Sequence, residues 1–428
     1  MTPASLAIPL DPRFSRWSST ASLLLLYALA TASALYLLQR YVPFPFSAES
    51  RFALFVLLMI VALGFKRKLF AIPLPFWGLG VAVGWTGLHT YILSDLHLAL
   101  YSTARYANVM MLAPLAAVLL IRGEQLLKVF QIFLVIFLVA LASLLFQHWG
   151  GQLDSLTLGY IAIRGDLVRH MTVVGEPNVG GMLAALAFVM GILLPRRRGI
   201  AIALGAMAVA FIIFSLSKAA MLGLGVAGVA AGVVLRGDER RDAFLKATIA
   251  GFLGLLLLWV LGGDDYIRVA VESVMGGIRG EPSAMEDLQA RQSMFDLPAA
   301  SGGSGMPASL IYLLGASFVG VGSAALEIRG PNSSVVLPHN SYLEMFLTGG
   351  VLMLGIVLFL MARAYKILWR STAPHDRSVD RCALICLTAL SSWMLVFPVI
   401  YEPVTGCLFW IIVGYGNRRH AHPSAAVV

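Results

Sequence analysis

Charge is what this sequence has least of. Of its 428 residues, 12% are Asp, Glu, Lys or Arg, against about 25% in an ordinary soluble chain. So few charges cannot clothe a water-facing surface, which excludes a soluble globular protein and makes lipid the main solvent. Cysteine is nearly absent too: Cys382, Cys386 and Cys407 are the whole complement, and all lie in apolar runs near the C-terminus. That excludes a disulfide framework, and no Cys-x-x-Cys spacing exists to hold a metal. HExxH, GxSxG and Walker patterns are missing from any sensible place, which points away from metal-assisted transfer and nucleotide hydrolysis. The opening MTPASLAIPLDPRFSRW has no basic leader beside an apolar core, so no cleaved signal peptide is expected. Neither an internal repeat nor a low-complexity tract is visible. Asp264 and Asp265 are adjacent rather than spaced, and are expected to hydrate a loop.

What fills the chain instead is hydrocarbon: 59% of residues are hydrophobic. Crossing roughly 30 Å of bilayer takes about 20 apolar residues. About twelve such runs occur, near 21–39, 50–65, 70–92, 98–121, 126–148, 177–195, 199–216, 218–235, 244–262, 342–366, 382–400 and 403–416. The expected fold is therefore an all-α polytopic membrane protein with about twelve transmembrane helices in a single domain. Glycines through the runs, as in GLGVAGVAAG (223–232), suit close helix packing in lipid.

Basic residues orient the bundle. With the N-terminus inside, 21 of the 31 Lys and Arg fall in inner loops, nine in outer ones, and Arg105 within a span. This obeys the positive-inside rule with both termini cytoplasmic. The net charge of +9 is then mostly topological and gives no argument for nucleic-acid binding. One long outer segment, about 263–340, exceeds an ordinary connection and is expected to be an ordered, functional loop. Its apolar stretch 308–322 is too short to span and is expected to be re-entrant or interfacial.

Topology does not require the nine outer cations: Arg40, Arg51, Arg164, Arg169, Lys218, Arg268, Arg279, Arg291 and Arg329. Each can pair with headgroups or with carboxylates such as Glu176 and Asp296. Together they can also hold a polyanion, because guanidinium groups grip phosphate oxygens bidentately. Lys218 lies between two apolar runs with almost no loop, and Arg105 lies near a span's outer end; both are costly positions for a cation. His89, His97, His148 and His170 read as ordinary interfacial histidines.

The stretch PHNSYLEMFLTGG (338–350) puts His339 and Asn340 before a helix whose Ser341 and Glu344 fit a capping box. Exposed N–H groups there favour an anion and disfavour a second positive charge. A neutral imidazole in that place can accept a proton; it can equally cap or pack, and the residues alone leave both open. GEPNVGG (175–181) is a second such start, with Pro177 in the first turn, Glu176 as cap or dipole partner, and Asn178 projecting from it. Two outer helix starts, several arginines and a histidine suit a phosphorylated, lipid-borne substrate.

PHNSYLEMFLTGGVLML (338–354) is similar to the histidine-containing signature of bacterial O-antigen ligases and their relatives, the O-antigen polymerases and protein O-oligosaccharyltransferases. FSLSKAAMLGL (214–224) resembles that family's serine-then-basic turn, where arginine is commoner than lysine. ARQSMF (290–295), with GVG at 320–322, resembles its arginine run before a glycine pair, and GEPN resembles the start of the same core. The likeness covers roughly 175–365.

The resemblance implies transfer of a glycan from undecaprenyl diphosphate to an acceptor hydroxyl on the periplasmic face of the bacterial inner membrane. For a ligase the acceptor is the lipid A–core oligosaccharide. It implies that His339, Arg291 and Lys218 are the essential residues, and that Glu402 stands where some members carry a carboxylate. Arg105, Arg164, Arg169, Asn178, Asn340, Tyr342 and Glu402 are the expected substrate-contacting residues. Fixed cations can stabilise a departing diphosphate without a metal or other cofactor, and one-step displacement would invert the anomeric centre. The rival from another class is a secondary transporter, which fits twelve spans but usually shows repeats or midplane charges.

Overall fold

The computed structural model describes residues 74–93, 110, 123–151, 162–164, 167–195, 197–279, 328–329, 335–336, 340–370, 377–402 and 404–418. In hydrocarbon every backbone N–H and C=O must be satisfied within the chain, and the apolar runs accordingly fold as helices. In chain order these are α1 (Leu74–Leu93), α2 (Gly123–His148), α3 (Pro177–Leu193), α4 (Arg198–Ser215), α5 (Lys218–Val234), α6 (Gly237–Val260), α7 (Asp264–Arg279), α8 (Ser341–Arg370), α9 (Arg377–Trp393) and α10 (Thr405–Arg418). Two short antiparallel hairpins interrupt them: β1 (Ala162–Arg164) with β2 (Leu167–Arg169), and β3 (Ile328–Arg329) with β4 (Val335–Val336).

Among the described residues, four helices are long and apolar enough to span a bilayer: α2, α4, α6, and the Thr348–Arg370 part of α8. At 1.5 Å per residue, the 26 residues of α2 reach roughly 39 Å. This is the pattern of an integral membrane protein. The expected runs from 126 onward each find a helix, while 21–39 and 50–65 lie outside the described residues, as does 98–121 apart from Met110.

Two expectations are corrected. Asp264 and Asp265 do not hydrate a loop: they open α7, where Asp265 pairs with Arg268 at 2.9 Å and acidic residues suit the first turn. α7 buries Tyr266 and Ala270 and exposes its charges, so a scan for continuous apolar runs passes over it. The run 342–366 is not one straight helix either. Gly350 breaks α8 with φ 67° and ψ −168°, a backbone state essentially confined to glycine.

The core centres on α3, which packs against α2, α4, α5 and α9 and buries nearly its whole circumference. α10 is equally enclosed, from Cys407 to Asn417. By contrast α6 buries little, and Phe252, Trp259 and Val260 on it are 69%, 65% and 68% exposed. The apolar later part of α6, bare on its outer face, has the surface of a lipid-facing helix. Where α4 meets α6 the approach is close: a Cβ on Gly205 would lie 2.8 Å from the Ala250 Cβ, and one on Gly254 would lie 2.7 Å from the Ala206 carbonyl. The glycines of 223–232 do otherwise. Gly223 lies under the Trp393 indole, but Gly225 and Gly228 face open space.

Candidate functional site

Four helix starts gather at one end of the bundle, those of α3, α5, α8 and α10, and a chain of long-range hydrogen bonds joins them. The α3 start is set by a tight turn in which Thr172 and Gly175 exchange both backbone hydrogen bonds, at 3.0 and 2.9 Å. Gly175 takes φ 115°, which a side chain would strain. Pro177 follows in the first turn as expected. Glu176 occupies the N-cap position but makes no side-chain cap hydrogen bond, so of its two expected roles only the dipole position remains.

Arg169, at the end of β2, joins this start to the next. Its Nε donates to the Ser215 carbonyl at 2.7 Å and its Nη2 to Asn178 Oδ1 at 2.8 Å. Ser215 belongs to the turn between α4 and α5. There Leu216 adopts a left-handed φ of 48°, uncommon for a residue with a branched side chain. The Ser215 hydroxyl donates to the Ile212 carbonyl at 2.7 Å and accepts from the Ser217 N–H at 3.3 Å. Ser217 then caps α5, its Oγ accepting from the Ala220 N–H at 3.2 Å. Lys218 is the first residue of α5 and is exposed. A cation at a helix N-terminus opposes the macrodipole, costing about 0.3–1 kcal/mol, unless an anion sits between them.

The α8 start is tied in from the other side. The Trp393 Nε1 donates to the Ala219 carbonyl at 2.6 Å, linking α9 to the first turn of α5. Ser341 donates its N–H to the Met394 carbonyl at 2.7 Å and its hydroxyl to the Phe397 carbonyl at 2.9 Å. Ser341 is therefore not the cap. Asn340 is: its Oδ1 accepts from the Leu343 N–H at 3.0 Å. The Ser341 hydroxyl is drawn away by a carbonyl 56 residues distant, a competition that local spacing does not reveal. Tyr342 turns inward and donates to the Ser391 carbonyl at 3.1 Å.

Glu402 lies in the turn before α10, 8% exposed, and works as a cap. Its Oε2 accepts from the Val404 N–H at 2.9 Å, the Thr405 N–H at 2.5 Å and the Thr405 hydroxyl at 2.7 Å. Burial raises its pKa; the Thr405 and Val404 donors oppose that, and Glu176 adds to it; α3 and α10 also touch.

Sequence reasoning missed the frame around Arg169. Tyr266 of α7 donates to the Val168 carbonyl at 2.7 Å, and Gln147 of α2 to the Met171 carbonyl at 2.6 Å. His148 lies 3.0 Å from the Leu261 carbonyl through Nε2, with its ring 4.7 Å from Phe214 and 6.5 Å from His170. Burial, then His148, holds His170 below its ordinary pKa, so it is neutral at pH 7. Beside the α5 start, an apolar cavity of about 510 Å³ opens between α4, α5 and α7, lined by Ile212, Ile213, Met221, Leu224, Val271 and Met275.

Of the expected site residues, Asn178, Lys218, Asn340 and Glu402 thus stand at helix starts, and Arg169, at the end of β2, bridges two of those starts. Arg164 lies in β1, paired with Leu167. His339, Arg291 and Arg105 lie outside the described residues, as does the 308–322 stretch. Among the described residues no cluster of three metal-ligating side chains occurs. No protein-family model and no curated protein matches the chain.

Proposed function

We propose that this protein is a lipid-linked glycan transferase of the O-antigen ligase kind, a twelve-span protein of the bacterial inner membrane with its site facing the periplasm. The donor is a glycan on undecaprenyl diphosphate and the acceptor is a hydroxyl of the lipid A–core oligosaccharide. The observation that carries the reading is Arg169 fixed between the α3 start and Ser215, which lies three residues before the exposed Lys218. This puts a preset guanidinium, an ammonium and helix N–H groups at one end of an apolar bundle. A lipid diphosphate needs that combination: cations for its oxygens and apolar surface for its chain. The cavity of about 510 Å³ beside Lys218 supports the second half.

The chemistry follows from the donor, whose diphosphate is already a good leaving group. As the glycosidic bond breaks, charge gathers on the diphosphate oxygens. Arg169, Lys218 and Arg291 neutralise it, and a fixed donor of this kind is worth about 10²–10³ in rate. The acceptor hydroxyl loses its proton to neutral His339, next in sequence to the cap of α8, for a further ~10²–10⁴. Asn178 and Asn340 orient these groups. Attack from the face opposite the diphosphate inverts the anomeric carbon.

The test is transfer by the purified chain in proteoliposomes with an undecaprenyl diphosphate glycan and lipid A–core. Label moving to lipid A–core, with inverted linkage, supports the reading. Flux of the donor without transfer favours a carrier. In a deletion strain, loss of the lipopolysaccharide ladder with accumulated lipid-linked polymer means ligase, whereas a single-unit band means polymerase.

A further inference from the structure

At the end of α5 opposite Lys218, a cavity of about 590 Å³ opens between α5, α6, α8 and α9. Arg236, Arg370 and Arg381 line it, together with Glu239, Asp380 and Trp369. Both acids are engaged by the protein. Glu239 pairs with Arg381, and Asp380, 1% exposed, accepts from the Tyr415 hydroxyl at 2.8 Å. Arg236 and Arg370 are exposed at the rim, and Trp369 is 55% exposed beside them.

This cavity continues into a second one of about 540 Å³, sharing Val233, Val234, Trp369 and Leu384 with it. The second is almost wholly apolar and runs along α5 past Val229 and Val226 to Leu222, against Tyr365 and Thr388. Gly225, which lines it and has nothing near its Cβ position, adds no side chain to that side of α5. From Val233 to Leu222 it is roughly 16 Å along the axis, about one leaflet of a ~30 Å hydrocarbon core. A cationic mouth with an interfacial tryptophan, opening into an apolar trough one leaflet deep, has the polarity profile of a phospholipid. Basic pockets between transmembrane helices take anionic headgroups, and three arginines against two acids leave the mouth with an excess of positive charge.

We propose that this composite groove binds one anionic glycerophospholipid, its phosphodiester held by Arg236 and Arg370 and one acyl chain laid along α5. The site is separate from the Lys218 end and does not depend on the transferase reading.

The experiment is native mass spectrometry of the full chain in detergent, titrated with phosphatidylglycerol, phosphatidylcholine or inorganic phosphate, reading the Kd of the first bound molecule. The wild-type chain prefers phosphatidylglycerol by about tenfold or more. Arg236→Gln with Arg370→Gln brings that preference close to one. Val229→Trp fills the trough and weakens both lipids alike, leaving the charge preference intact. Millimolar inorganic phosphate does not displace the bound lipid. Equal binding of the two lipids by wild type, or an undiminished preference in the double variant, overturns the proposal. So does full displacement by phosphate, which would make this a free-anion site.

Discussion

The two ends of α5 carry cations in opposite ways. At the Lys218 end the neighbouring guanidinium is fixed in place by protein: Arg169 holds the Ser215 carbonyl and Asn178 through Nε and Nη2, and helix starts are stitched around it. At the other end Arg236 and Arg370 stand on helix termini at the rim of an open groove. The first arrangement sacrifices mobility for position; the second keeps charge at a surface. Chemistry on a bound diphosphate needs groups fixed before the substrate arrives, whereas holding a lipid headgroup needs only charge at the right depth. On the two proposals, the same residue type serves a diphosphate site at one end and a lipid headgroup at the other.

Substitutions break this contrast in graded steps. The largest effect belongs to His339→Ala, expected to lower transfer by ~10²–10⁴ with the chain still folded, read as turnover in proteoliposomes. Arg169→Lys comes next. One ammonium cannot span two acceptors that Nε and Nη2 reach separately, so transfer falls about 10²-fold, nearly as far as in Arg169→Ala. A lysine variant with wild-type rate would mean that charge alone matters there. Gly350→Ala forces a side chain into a glycine-only conformation and is expected to destabilise the protein by about 1–3 kcal/mol, read as a lowered unfolding temperature in detergent. Trp393→Phe removes the donor to the Ala219 carbonyl and is expected to cost ~1 kcal/mol.

The smallest effect is one of pH. His170 has a folded pKa below its ordinary value of about 6.5. Its contribution to stability is therefore complete above the ordinary value and is lost as pH falls through the lowered one. Melting curves between pH 7 and pH 5 should show an acid loss that His170→Gln reduces; an identical profile in the variant would remove His170 as its source.

How much of this could be read beforehand depends on how local the cause is. Helix positions were legible because a run such as 126–148 carries its own instruction: apolar residues in lipid, with the backbone bonded to itself. The amphipathic α7 was not, since its apolar face emerges only at helical period beside Asp264, Asp265 and Arg268. Lys218 was legible as an oddity, a cation between two apolar runs with almost no loop between them. The work of Arg169 was not, because its partners lie 46 and nine residues away. Ser341 shows the same limit, for Asn340 and Ser341 are both good caps. Only the Phe397 carbonyl, brought up by the 394–400 turn, decides between them.

The measurement that bears most directly on the central claim is transfer of a radiolabelled glycan from undecaprenyl diphosphate to lipid A–core by the purified chain, run beside His339→Ala and the Arg236→Gln, Arg370→Gln pair. The account predicts turnover by wild type and by the rim pair, and a fall of about 10²-fold or more in His339→Ala. Absence of turnover in wild type, or His339→Ala working at the wild-type rate, would contradict it.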